Sequence, residues 1–203
     1  LLLSAIFEFL AVKYKELHHQ AKHIDRLIDA ELHLHGGLFP TPEQLQVLVT
    51  KNYPDFYVES CGWHKIVFRN RQANHKVVLK IGSHRSIEND HHTYKRVPES
   101  VRHQLFAKIY WHTKYCLLQE YGAPANITPQ QLNCIRQAVY GYGVFDVKAD
   151  NLRWVNGELK IIDANATRIM LPRMLRFIDE LKPVLPPKLD ELLARISKRF
   201  YTT

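Results

Sequence analysis

GVFDVKADNLRWVNGELKIIDAN, residues 143–165, is the most informative stretch of the chain. Asp146 is followed five residues later by Asn151, then by two short apolar runs separated by Asn156-Gly157, and then by Asp163 behind two isoleucines. Asn-Gly between such runs predicts a two-residue hairpin turn, because both turn positions need positive φ. The order suits convergence of Asp146, Asn151 and Asp163 on one cleft edge. One Asp and one Asn on a loop, with a second Asp just past a strand, supply what γ-phosphoryl transfer requires: hard oxygen ligands for a divalent metal and a carboxylate to orient an acceptor hydroxyl. As plain structure, the same Asp and Asn would cap turns.

Outward from this stretch, the chain has 203 residues and 46% apolar content, enough for one domain or two small lobes sharing a cleft. A net charge of +8 favours a polyanionic partner without choosing one. Cys61, Cys116 and Cys134 are odd in number and form no CxxC pair, which argues against a disulfide framework or zinc site and suits a reducing, cytoplasmic setting. His19 and His23 have metal-ligand spacing but no supporting motif, so no zinc is expected. The opening LLLSAIFEFLAV contains Glu8, is too short to span a bilayer and lacks the basic start of a secretory signal.

Residues 1–35 read as one or two amphipathic helices, stopped by Gly36-Gly37, and Thr41-Pro42-Glu43 opens a short helix to about Val49. From Tyr53, the runs YVES, KIVFRN and KVVLKI predict three antiparallel strands. A helix is expected over 85–97, then strands over QLFAKIYW and YCLLQEY, a helix from Thr128 to about Tyr142, the hairpin, and a helical tail.

In order and spacing, residues 143–165 resemble the H-R-D-L-x-x-x-N loop and the D-F-G motif of the protein-kinase superfamily. The resemblance implies that Asp146 is the catalytic base or orients the hydroxyl, that Asn151 and Asp163 hold Mg²⁺ or Mn²⁺, and that Lys148 lies near the transferred phosphate. KVVLKI places Lys80 at a strand end, like the V-A-I-K lysine that contacts the α- and β-phosphates of ATP. Its partner acid belongs on the next helix, where Glu88 is offered by residue type and Asp90 by its spacing to Tyr94 and Val97; Glu88 is preferred. SCGWHKIVF matches the phosphate-covering glycine loop only at Gly62 and Val67, with Lys65 at an outer glycine's place adding positive charge and Trp63 inside the turn. LLQEYG is similar to the hinge between lobes, so backbone groups around Glu120 and Tyr121 are expected at the adenine edge.

The resemblance covers about residues 55–165. Val144 and Phe145 replace the family's His-Arg, removing a docking point for an activation-loop phosphate, and Asp163-Ala164-Asn165 keeps the metal ligand but loses the switch Phe. A fixed, constitutively assembled enzyme is therefore expected. No A-P-E follows Asp163, and the short run to Thr203 implies a reduced lower lobe, similar to bacterial effector kinases delivered into host cells. The expected fold is α+β and two-lobed: a helical extension over 1–50 that supports the upper lobe or binds a partner or activator, a β-rich lobe over 51–121, and a reduced helical lobe over 122–203. The expected activity is ATP-dependent phosphorylation of Ser or Thr on a protein. A small-molecule kinase of the aminoglycoside or choline type and a pseudokinase scaffold are the alternatives, and a nucleic-acid-binding domain is the weakest reading for want of a recognition motif.

Overall fold

Alternation along KIVFRN and KVVLKI decides the architecture of the protein, whose computed structural model describes residues 2–62, 65–73, 76–144 and 147–163, with side chains from Tyr14 onward. β2 (Lys65–Asn70) and β3 (Val77–Gly82) pair antiparallel, with Val67 opposite Lys80 and Ile66 opposite Ile81. Successive strand residues point to opposite faces, so Ile66, Phe68, Leu79 and Ile81 leave one side of the sheet while Lys65, Val67 and Lys80 leave the other. β1 (Phe56–Cys61) flanks β2, β5 (Cys116–Glu120) pairs with β3, and β4 (Ile109–His112) closes the far edge, giving the antiparallel order β1-β2-β3-β5-β4.

The apolar face is covered by α1 (Leu2–Leu34) and α2 (Pro42–Asn52). Leu17, Ala21, Ile24 and Ile28 recur at helical spacing along α1 and are buried with Leu45 and Val49 of α2 against Phe56, Ile66, Phe68, Leu79, Ile81 and Leu118. Positive φ at Gly36 and Gly37 lets the Gly37 amide close on the Leu32 carbonyl and end α1. Asp25 ties α1 to the β4–β5 turn by accepting from the Thr113 hydroxyl and the Lys114 and Tyr115 amides at 3.0, 3.1 and 3.0 Å.

Between β3 and β4 the chain forms α3 (His84–Arg96), capped by the Ser83 side chain, and α4 (Glu99–Leu105). Beyond β5 come β6 (Ala123–Pro124), α5 (Pro129–Tyr140), a 3-10 turn at Ala149–Asn151, and the hairpin β7 (Leu152–Val155) and β8 (Glu158–Ile161). Strands β6, β7 and β8 make a three-stranded sheet. A second core gathers Tyr94, Val97, Phe106, Val139, Val144, Val147, Leu152 and Ile161. Thr41 and Thr128 open α2 and α5 with the same device, a Thr-Pro-x-Gln capping box.

The α+β class, the single long helix over the expected 1–35, the three antiparallel strands from Phe56 to Gly82 and the Asn156-Gly157 hairpin agree with the sequence reading; both turn residues have positive φ. QLFAKIYW does not form one strand. Gln104 and Leu105 finish α4, Phe106 makes an isolated parallel bridge to Ile161, and β4 begins only at Ile109. Phe106 is pulled out of the strand by burial in the second core, where the Ala107 amide also donates to the Ile161 carbonyl at 2.9 Å. The expected helical tail, together with Trp63, Phe145, Asp146, Ala164 and Asn165, lies outside the described residues. Among the described residues, no helix is long and apolar enough to cross a membrane.

Candidate active site

α3 buries the stripe Ile87, Asp90, Tyr94 and Val97, at steps of three, four and three. Asp90 is the acid on that stripe, so the helix carries a carboxylate into the interior facing the sheet's lysine side. Glu88 points away and is exposed. The preference for Glu88 as the buried partner acid is therefore corrected: helix phase, set by the apolar neighbours of Asp90, outweighs residue type.

Lys65 is the cation that Asp90 meets. Its Nζ lies 2.6 Å from Asp90 Oδ2 and 2.9 Å from Asp163 Oδ1, donating to both. Lys65 starts β2, as KIVFRN predicts, and its side chain is 7% exposed, with Asp90 at 4% and Asp163 at 30%. Asp163 is thus the one member at the mouth of the cluster. Burial acts to lower the Lys65 pKa, but the two carboxylates outweigh it and hold the pKa above the ordinary lysine range, so the ammonium stays charged.

Lys80 lies on the same sheet face and is 3% exposed. Its ammonium donates to the carbonyl of Ile162, the residue before Asp163, and makes no direct ion pair with Asp90 or Glu88. Burial lowers its pKa and neighbouring Lys65 adds to the effect, against the attraction of Asp163 and Asp90. The pairing of Lys80 with a helix acid is thus replaced by one between Lys65 and Asp90.

The Ile162 amide donates to the Asn151 carbonyl at 2.8 Å, which sets the backbone of the 3-10 turn against the residue preceding Asp163. Lys148 is exposed at the head of that turn and accepts from the Asn151 amide at 3.0 Å, while Arg136 of α5 anchors the loop through the Val147 carbonyl at 2.8 Å. Asn151 and Asp163, expected to work together, are therefore brought to neighbouring positions; the expected base Asp146 lies outside the described residues.

Gly62 closes the β1–β2 turn through its amide to the Lys65 carbonyl at 2.9 Å. A Cβ there would meet only that oxygen, at 3.5 Å, so the turn does not demand glycine. At the expected hinge, the Glu120 amide donates to the Lys108 carbonyl and the Tyr121 amide to the Lys76 carbonyl, at 2.9 and 2.7 Å. Both amides serve the strand ladder, and the Tyr121 ring lies 4.3 Å from the Arg69 guanidinium.

Gln119 was not singled out from the sequence. It sits on the lysine face of β5, opposite Val78, and is buried. With Asp90, Tyr94, Phe106, Ile109, Ile161 and Ile162 it lines a cavity of about 10 Å³, the size of one water. Among the described residues, Asp90 Oδ1 and Gln119 Oε1 are both buried without a hydrogen-bond partner. A polar residue in the otherwise apolar CLLQE was the signal that could have found it.

Comparison with models of known protein families finds no match, and comparison with curated proteins finds none either.

Proposed function

We propose that this protein is an ATP-dependent phosphotransferase with a kinase-like fold, and that its substrate is a Ser or Thr hydroxyl on a protein. The observation that carries the reading is the buried Lys65 bridging Asp90 of α3 and Asp163 behind β8. A charged lysine held in place by a helix acid, with a second carboxylate at the cleft mouth, suits a phosphate-binding cleft, since the ammonium is already positioned when the anion arrives.

The residues present fit Mg²⁺-ATP. Asp163 and Asn151 offer hard oxygens at neighbouring positions, and magnesium is held by one or two protein groups together with phosphate oxygens rather than by a full protein cage. When bound, ATP supplies the phosphoryl group and the metal neutralises its charge. The chain's own contributions are positional. Asp90 orients Lys65, Lys80 fixes the backbone before Asp163, Arg136 steadies the loop that leads from Asp146 to Asn151, and Asp146 and Lys148 are assigned to the acceptor hydroxyl and the transferred phosphate. The resemblance in residues 143–165 supports Ser or Thr over tyrosine as the acceptor through Lys148.

A nucleotide-binding scaffold is the second reading, favoured by one observation: Lys65 already holds the Asp163 carboxylate at 2.9 Å. Transfer of labelled γ-phosphate from Mg²⁺-ATP or Mn²⁺-ATP to the protein itself and to a protein mixture separates the two. Incorporation that disappears in both Asp146→Ala and Asp163→Ala supports the enzyme; nucleotide binding without any transfer supports the scaffold.

A further inference from the structure

Resting on the phosphotransferase reading, we propose that Lys65, on β2, is the residue that contacts the nucleotide phosphates, and that Lys80, on β3, is a positioning residue that sets Asp163 through the Ile162 carbonyl. Three observations carry this division. First, Lys65 is the lysine ion-paired to the α3 acid and to Asp163 together. Second, its partner Asp163 is 30% exposed, so the Lys65 ammonium adjoins the open side of the cluster, whereas Lys80 reaches a backbone carbonyl one residue further in. Third, register fixes the geometry: Val67 opposite Lys80 puts Lys65 two residues along the same face, next to the β1–β2 turn, while Lys80 sits in the middle of the fully buried β3.

A consequence follows for Asp163. In the free protein Lys65 is ion-paired to it, so a phosphate oxygen that takes over the Lys65 ammonium makes the carboxylate more available to a metal. Nucleotide and metal then strengthen each other's binding by the same factor.

The test uses ADP and Mn²⁺ on the full chain, with ADP binding measured by calorimetry and Mn²⁺ binding by electron paramagnetic resonance, alongside the melting temperature of each variant. Lys65→Met is expected to weaken ADP by about tenfold or more, the size of a lost charge-assisted hydrogen bond, and to strengthen Mn²⁺ binding without nucleotide. Lys80→Met is expected to melt lower and to keep ADP affinity within about threefold, a change below that of one charged contact. Because Lys65→Met strands Asp90, the double variant Lys65→Met/Asp90→Leu supplies a folded form that lacks the whole buried pair and should equally fail to bind ADP. Equal losses in the two single variants, or a larger loss in Lys80→Met, overturn the division while leaving the nucleotide site standing. A wild-type protein that binds neither ADP nor ATP, with or without metal, overturns the phosphotransferase reading and this assignment with it.

Discussion

On one face of the five-stranded sheet, Ile66, Phe68, Leu79, Ile81 and Leu118 pack against α1 and α2; on the other, one residue along the same strands, Lys65, Lys80 and Gln119 face α3 and its Asp90. Both faces are buried, but burial stabilises only the first directly. Apolar area removed from water contributes about 25 cal/mol per Å², whereas an ion pair taken out of water recovers little more than its own desolvation. The helical cover thus supplies the stability that lets the opposite face hold charges in a fixed arrangement. Apolar packing and buried charge are divided by the pleat of β2 and β3.

The largest way to break that division is to damage the apolar face. Phe68→Ala removes a fully buried ring and is expected to cost about 3–5 kcal/mol, read from urea unfolding. On the polar face, Asp90→Ala leaves Lys65 with Asp163 alone, and a loss of about 3 kcal/mol is expected by the same measurement.

A smaller effect is expected where the chain leaves β5 for the three-stranded sheet. A Cβ on Gly122 would overlap Arg153 Cβ and lie 2.9 Å from Val155 Cγ2, so Gly122→Ala forces the connection away from β7. The cost should be about 1–3 kcal/mol in thermal or urea unfolding.

Acid sharpens the comparison further. The His91 ring on α3 lies 4.1 Å from that of His112 on β4, and its pKa is lowered to about 4, first by burial and then by His112, Lys95 and His92. A lowered folded-state pKa means that the unfolded chain binds the extra proton, so this contribution is complete above pH 6.5 and is lost as pH falls toward 4. Solvent screening limits it to about 1 kcal/mol, and His91→Gln should flatten unfolding curves between those pH values. Glu88→Ala, on the exposed side of the same helix, should change stability by less than about 0.5 kcal/mol. A large loss there with none at Asp90 would reverse the choice of acid.

Local signals carried most of the fold. The helix starts at Thr41 and Thr128, the Asn156-Gly157 turn and the strands KIVFRN and KVVLKI each act within a few residues, and each is found where it was read. α4 escaped because an apolar run such as LFAKIYW fits a strand by period, while the burial of Phe106 beside Ile161 is a long-range effect. The site was half legible. Asp90 was marked by its step to Tyr94 and Val97, yet Glu88 matched the residue type that the resemblance led one to seek. Lys65, and not Lys80, meets the two acids, because the β2–β3 register together with the position of Asp163 beyond β8 decides which ammonium reaches them. Residue spacing along one strand contains neither.

The most direct measurement is a crystal structure of the protein with a non-hydrolysable ATP analogue and Mn²⁺, whose anomalous signal locates the metal. The account predicts phosphate oxygens within hydrogen-bonding distance of Lys65 and manganese beside Asp163 and Asn151. A nucleotide bound away from the lysine face of the sheet, or an Asp163 still closed on Lys65 with no metal beside it, would contradict it.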